Sequence, residues 1–408
     1  MVGKSVSAEA IRRGVNLSDY SLQFCRWFLL PIGAWPASAA ASKRERFYSL
    51  LLVVLSFSLV GFTVFCSLLN MMLSDDSIRL KLKTFGPFVH WTVGGCNLML
   101  LLSRGKDIQL CIDHMRTDWR TVNRVKDQEI MLRNAKIGRF ISVTCAVWLQ
   151  GGVLGFCAVT ALSTVAVQVG NETRLVHPMP CSVYKKMLNV DESPTNEIVL
   201  VSQFLSGAVV NTVSVGVYSM AAVFAAHACG QLDVIMTWIA EFVNKTEKIR
   251  KVVRYSEIGI IVKHHLRTLS FISHIEEIMQ WICFMILAAC TTDICMLCYY
   301  ILTEWTEHNI QNLSTYIVIL LAYTFNVFVM CYIGDILSEQ CLKVGEVVYM
   351  TNWYYLPDKT VLDLILIIKR SSVTIKITAG KIIEMSISTF GSVMKTAFAY
   401  VNFLRQTT

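Results

Sequence analysis

The sequence predicts an all-α membrane protein. It would have seven transmembrane helices, a cytosolic N-terminus, an extracellular C-terminus and cytosolic helical extensions forming an anchor domain. Three observations carry this. Of 408 residues, 54% are apolar and 16% charged, against about 25% charged in ordinary soluble domains; mean hydropathy is +0.52. Apolar runs recur at lengths near the roughly 20 residues a helix needs to cross a bilayer. Lys and Arg collect on alternate segments between those runs. With 7 Pro and 21 Gly, the chain has neither a collagen-like nor a low-complexity composition.

Residues 1–46 read as a cytosolic N-terminal segment. No signal peptide is expected, because the first long apolar run starts only after residue 46 and outlasts an h-region. Spans at 47–73, 140–167 and 198–229 are clear, and those at 278–302 and 313–337 nearly so. Residues 84–102 make a shorter span carrying His90 and Asn97. Residues 47–337 thus form a six-helix transmembrane region with cytosolic extensions 103–139 and 230–277. Residues 338–377 follow as a cytosolic anchor helix and polar insert. The seventh span, 378–404 within the closing segment 378–408, is weakest because Lys381, Glu384 and Lys395 interrupt it.

With the N-terminus inside, the inner segments hold 28 Lys and Arg and the outer ones 7, with Lys381 and Lys395 inside the last span. That bias opposes the arrangement of G-protein-coupled receptors, whose N-terminus lies outside. The net charge of +8 belongs to loops facing anionic lipid, where each cation contributes about 1 kcal/mol. Spread over separate loops, it makes no nucleic-acid footprint. The stretches 104–139 and 231–277 lack Pro, and Ile235, Ile239, Phe242 and Ile249 recur at helical spacing. They read as cytosolic extensions of the spans, with helices lying on the membrane as the alternative. The sequons at Asn171 and Asn312 fall in outer segments and are glycosylation candidates; those at Asn16 and Asn244 fall inside.

Ten of the 14 cysteines lie in apolar runs and act as small hydrophobes. Cys295 and Cys298 form a C-x-x-C without a second pair or a histidine cluster, so no metal or cofactor is expected. No G-x-G-x-x-G, Walker loop, H-E-x-x-H or G-x-S-x-G occurs, which argues against an enzyme. A secondary transporter would want a two-half repeat or broken spans, and neither is visible. Asp293 sits mid-span, where an acid is expensive. A structural hydrogen bond, to Thr291 or a neighbouring helix, is favoured over orienting a polar ligand. His90 reads as a packed neutral histidine, and Gly151 and Gly155 as a close helix approach.

Near the C-terminus, Pro357 should stop a helix near Leu356. In the last span Ser388, Ser392, Lys395, Thr396, Ala399, Asn402 and Gln406 recur every three to four residues, opposite Ile387, Phe390, Met394, Phe398 and Leu404. One wet stripe beside one greasy face suits a pore lining closed by other subunits, or a polar seam against a neighbouring helix.

Specific motifs then accumulate: Cys331-Tyr-Ile-Gly334, Val348-Tyr-Met-Thr-Asn-Trp-Tyr354 with Pro357, Ile368-Lys-Arg370, Ala379-Gly-Lys381, Ser388-Thr-Phe390 and Ala399-Tyr400. This series resembles the C-terminal signature of insect odorant receptors, and Ile32-Gly-Ala-Trp-Pro36 resembles that family's short motif before the membrane. Ser371 and Ser372 stand where Gln-Lys is common, and Ala399 where Ser is common.

The resemblance implies a ligand-gated, non-selective cation channel in a heterotetramer with an odorant co-receptor subunit, at the plasma membrane of olfactory neuron dendrites. The stretch between spans four and five is only about 48 residues, which suits a ligand-recognising subunit rather than the longer co-receptor. A gustatory-type channel is the nearest rival. A G-protein-coupled receptor is further off, since neither an Asp-Arg-Tyr after span three nor an Asn-Pro-x-x-Tyr in span seven is present. By position, Phe403, Gln406 and Thr407 match the family's outer gate region; the polar stripe adds Asn402. The resemblance also places a volatile-binding pocket in the outer half among spans two to six. Residues there suit an apolar, aromatic site: Phe85, Phe88 and Trp91; Trp148, Gly152, Phe156 and Val159; Gln203, Phe204 and Ala208; Tyr316, Leu320 and Tyr323. Ordinary helix packing is the alternative for each. Aromatic or heteroaromatic volatiles would fit this lining, and opening is expected through outward movement of the last span as the pocket contracts around its ligand.

Overall fold

The computed structural model describes residues 17–37, 41–169, 172–249, 255–307 and 310–407. A helix over residues 17–29 (α1) leads into a turn where Gly33 adopts φ +70°; a Cβ there would stand 2.4 Å from the Ser49 carbonyl oxygen, so only glycine fits. α2 (Lys43–Leu73) starts at a capping box: Ser42 Oγ accepts from Glu45 N at 3.2 Å, and Ser42 N donates to Glu45 Oε2 at 3.1 Å. α3 (Ile78–Ser103), α4 (Gly105–Thr121) and α5 (Val125–Leu162) follow. Then come α6 (Thr195–Ile249), α7 (Tyr255–Glu307), α8 (Ile310–Tyr349), α9 (Asp358–Ser372) and α10 (Ile387–Thr407).

Six helices among the described residues are long and apolar enough to cross a membrane. α10, at 21 residues, is not among those six; its length of about 30 Å matches a bilayer's hydrocarbon layer. α6 and α7 have 55 and 53 residues, about 80 Å each, so both project far beyond any 30 Å hydrocarbon layer. Their cores, with those of α3 and α8, supply most of the buried apolar cluster.

Three boundaries differ from the sequence reading. Span three was expected to reach residue 167, but α5 ends at Leu162 and Ser163 accepts the role of cap. The β-branched stretch beyond it pairs instead as an antiparallel hairpin, β1 (Val165–Val169) with β2 (Glu172–Val176). α8 stops at Tyr349, ahead of Leu356, and the polar insert holds α9, with Asp358 in its first turn and Lys369 and Arg370 in its last. The seventh span does not begin at 378. Residues Thr378–Ala379 (β3) and Ile383–Glu384 (β4) form a small hairpin around Gly380 and Lys381, both left-handed. Glu384 pairs with Lys376 at 2.7 Å. Two of the three charges that weakened this span therefore lie outside its helix.

The greasy face of α10 also shifts. Val393, Ala397 and Val401 are buried against the bundle, with Phe390 edge-on to Phe328, whereas Ile387 and Phe398 are exposed. Ser388, Ser392, Thr396 and Asn402 do lie on the exposed side. Gly151 and Gly155 face open space, so they mark no helix approach within the chain.

At the end where α6 and α7 meet α4, α5 and α9, polar contacts join helices distant in sequence. Asp233 binds Arg133 (3.2 Å) and Asn134 (2.9 Å); Trp238 Nε1 donates to Asp127 Oδ2 at 3.0 Å; Lys126 binds Glu241 at 2.7 Å. His265 is buried there, and its Nε2 has no hydrogen-bond partner among the described residues. Burial, then the nearby Arg370 and His264, push its pKa down from 6.5 to about 4. The unfolded chain therefore takes up a proton that the folded chain refuses. Stability should fall as pH drops from about 6.5 to about 4, by up to about 1.4 kcal/mol per unit. Melting temperatures of the purified protein across that range test this; His265→Gln should flatten the slope, and an unchanged slope would refute the assignment.

Candidate functional site

The described part of the bundle holds a partly open cavity of about 40 Å³ between α3, α6, α7 and α8. Gly94 opens it on one side: α3 and α6 approach so closely that a Cβ there would stand 2.3 Å from Val210 Cγ1 and 2.9 Å from its Cβ. Val93, Val210, Ile286, Ala289 and Cys290 give apolar walls; His90, Asn97, Ser214, Tyr218, Asp293, Tyr323 and Asn326 bring polar groups. The Tyr323 hydroxyl and His90 Nδ1 share a hydrogen bond at 3.0 Å. Ser214 Oγ donates back to the Val210 carbonyl at 3.1 Å. Thr291 does not pair with Asp293, since its hydroxyl donates to the Leu287 carbonyl at 2.6 Å. Both Asp293 carboxyl oxygens lack a partner in full hydrogen-bonding geometry among the described residues, but the Tyr323 hydroxyl on the neighbouring helix α8 is close enough to interact with the carboxyl. Of the partners weighed from sequence, Thr291 is therefore removed and the neighbouring helix is not.

Of the expected pocket residues, Tyr323 lines this cavity. Phe85, Tyr316 and Leu320 pack with it around Tyr299 and Tyr300 in a neighbouring aromatic cluster. Trp91 stands edge-on to His90 and donates from Nε1 to Ser206 Oγ at 2.9 Å. Phe88 and Phe204 are half-buried elsewhere on α3 and α6. Trp148 stacks on Phe325 with centroids 5.5 Å apart, half-exposed on α5. Gly152, Val159 and Ala208 are exposed, and the Phe156 side chain lies outside the described ones.

Gln203 has a different task. Its Oε1 accepts from Cys181 N and its Nε2 donates to the Cys181 carbonyl, both at 2.9 Å. With Asn196, which bonds His177 and Val190, it staples the segment between β2 and α6 onto the bundle. Gln203→Leu would orphan two buried backbone groups at about 1–3 kcal/mol each. The expected result is a lower melting temperature and a Cys181 thiol that newly reacts with maleimide; a silent thiol would show that the staple is dispensable.

α10 starts from braces on the same helices that wall the cavity. Gly380 N donates to the Gln280 carbonyl at 2.9 Å, and Thr378 Oγ1 to Glu276 Oε1 at 2.7 Å. Both partners are on α7, and Gln280 lies 13 residues, about 20 Å, from Asp293 along one continuous helix. On α8, a Cβ at Gly334 would stand 2.3 Å from the Met385 carbonyl oxygen, which shows how tightly the hairpin seats. Asn402 is exposed on α10. The side chains of Phe403, Gln406 and Thr407 lie outside the described ones, as do Asn171 and the side chain of Asn312.

The residues missed from sequence are His90, Asn97, Ser214, Tyr218, Asp293 and Asn326 as members of one cavity. Their signal was present: His90, Asn97 and Asp293 are polar groups at membrane depth, costly unless they face a cavity or each other.

Residues 77–398 match the family model described as 7tm Odorant receptor. The chain is 23% identical over 150 residues to Odorant receptor 10 of Aedes albopictus, across 36% of this chain and 38% of that protein. It is 25% identical over 150 residues to Odorant receptor 67c of Drosophila melanogaster, across 37% of this chain and 36% of that protein. These alignments span less than two thirds of the relatives' own length. The fold superposes on the insect olfactory receptor OR5 from Machilis hrabei with TM-score 0.75 at 14% identity, covering 96% of this chain and 100% of that one. Its complex with eugenol gives TM-score 0.74.

Proposed function

The chain belongs to the 7tm odorant receptor family, and on that premise we propose that it is a tuning subunit whose bundle cavity binds a small volatile and opens a cation channel. It would assemble with an odorant co-receptor subunit in a heterotetramer at the plasma membrane, with its N-terminus inside by the distribution of Lys and Arg. The observation that carries the reading is the continuity of α7, which walls the cavity at Ile286 and Asp293 and braces the base of α10 at Glu276 and Gln280.

The cavity as it stands, about 40 Å³, has room for a few waters. A volatile of about ten heavy atoms needs more, so binding must part these helices. That reverses the contraction expected from sequence. Such a ligand, at roughly 0.6–0.8 kcal/mol per atom, binds with about −6 to −8 kcal/mol, in the micromolar range. Gating needs only that the parted state be the one that moves α10. A longer ligand would reach the cluster of Phe85, Tyr316 and Leu320 beside Tyr323. The exposed stripe of Ser388, Ser392, Thr396 and Asn402 would then face a shared conduit, with the gate near Phe403, Gln406 and Thr407.

Whole-cell current in cells expressing this chain with and without an insect co-receptor, during a volatile panel, tests the reading. A fast cation current that needs both subunits is expected. Surface-expressed protein giving no current, but a second-messenger response blocked by G-protein inhibition, would overturn it.

A further inference from the structure

We propose that this cavity selects ligands bearing a hydrogen-bond donor, an N–H or O–H group, which is received by Asp293. The inference rests on the cavity being the ligand site and names the chemistry of what it takes. Asp293 is 2% exposed, and neither of its carboxyl oxygens has a partner in full hydrogen-bonding geometry among the described residues. Across the cavity the side-chain oxygen of Asn97 is buried and unpartnered as well. All three orphaned atoms are acceptors. What the Asp293 carboxyl lacks is a donor in hydrogen-bonding position.

The cavity's own donors, the Tyr218 hydroxyl and the amides of Asn97 and Asn326 among them, leave both carboxyl oxygens without a well-formed bond in this structure. Ser214 spends its hydroxyl on the Val210 carbonyl, and the Tyr323 hydroxyl, which lies near Asp293 without forming a well-aligned bond to it, is shared with His90. The α3 backbone facing Asp293 offers Gly86, where a Cβ would lie 3.7 Å from Oδ1, and then Pro87, which has no N–H. No Lys or Arg lines the cavity. A buried acid without a partner is costly in hydrocarbon, and a ligand that provides the donor removes that cost while one that cannot leaves it standing. Discrimination of this kind is far stronger than an apolar wall achieves.

Two kinds of ligand share this chemistry: a protonated amine, which also neutralises the carboxylate, and a neutral alcohol or N–H compound. Matched triplets separate them: phenethylamine, phenethyl alcohol and phenethyl methyl ether, with butylamine, butanol and butyl methyl ether as a smaller set. Each is applied to the receptor with its co-receptor, reading current, and to the purified complex, reading the shift in melting temperature. On at least one skeleton a donor-bearing member should act at a half-maximal concentration at least about tenfold below its ether. Asp293→Leu should erase that gap in protein that still reaches the surface. If Asp293→Asn abolishes the amine response, the cationic amine is the ligand class; if it spares the donor response that Asp293→Leu removes, the neutral donor is.

Ethers as effective as their donor partners in wild-type protein would overturn the proposal, because Asp293 would then be protonated and donating itself, or filled by water. A donor preference that survives Asp293→Leu would overturn it too, as would equal or absent shifts for every member of both sets. A donor-selective melting shift without any current would instead leave this inference standing and remove the channel reading.

Discussion

Asp118→Ala is expected to destabilise the protein by about 3–5 kcal/mol and to keep most of it from the cell surface. Asp118, on α4, is almost fully buried and joins two residues from far along the chain and one from the preceding turn of its own helix. Arg267 Nη2 lies 2.6 Å from its Oδ1, while His227 Nε2 at 3.0 Å and His114 Nε2 at 3.4 Å meet its Oδ2. His114 also stacks on Phe271 at 4.8 Å, and His227 meets the same ring edge-on at 5.5 Å. Removing the carboxylate strands His227 in the core and releases α4 from α6 and α7. Asp118→Asn keeps an acceptor for His227 and should cost about half as much. Melting of the purified protein and surface labelling read both variants; an Ala variant as stable as wild type would show the node to be dispensable. Burial raises the Asp118 pKa, but hydrogen bonds from His114 and His227, with their charge, outweigh this and hold it well below the ordinary carboxylate range. Its contribution is therefore present above about pH 4 and is lost only under stronger acid. Loss of stability as pH falls below about 6.5 belongs instead to His265 and to its neighbour His264, whose pKa burial also lowers.

Gly334→Val is expected to leave ligand binding in place and to reduce ligand-evoked current by about tenfold or more. The clash at Gly334 is with a backbone carbonyl, that of Met385, at 2.3 Å, so no side chain can turn aside. The hairpin β3–β4 must move, and with it the start of α10. Overpacking of this kind costs about 1–3 kcal/mol, and every 1.4 kcal/mol is a factor of ten in a closed–open equilibrium. Gly334 lies eight residues, about 12 Å, beyond Asn326 of the cavity on the same helix α8. The change thus falls on the transmission and not on the binding groups. Current per surface receptor, set beside the ligand-induced melting shift, separates the two. Equal losses in both would mean that Gly334 serves folding alone, and unchanged current would remove the hairpin from gating.

Much of the architecture is written locally. A span is legible because a lipid-exposed helix needs an apolar run of fixed length, whatever its neighbours. Ser42 and Glu45 announce the start of α2 three residues apart. The exposed hydroxyl stripe of α10 follows from periodicity, as does the helical character of 231–249. The β1–β2 hairpin was not read, because Val165 and Val169 are as apolar as the helix they follow, and only pairing with Glu172–Val176 distinguishes them.

The cavity shows the limit most sharply. On α3, Phe85, Phe88 and Trp91 make one stripe, and His90, Gly94 and Asn97 another, roughly 150° around the same helix. Both are periodic, and the aromatic one looks more like a ligand wall. The second faces α6, α7 and α8 because Gly94 allows Val210 to come within contact there, and Val210 is over a hundred residues away. His114 and Asp118 share one turn of α4, but His227 and Arg267 reach them from more than a hundred residues away.

By itself the sequence determined that this chain lives in a membrane, that long apolar helices recur along it and that the last helix carries a hydroxyl stripe, since those follow from the solvent and the helical repeat. Only the tertiary structure decided which face of each helix turns inward. A stripe specifies an angle about its own axis, and inward is defined by neighbours that the chain brings back from far away.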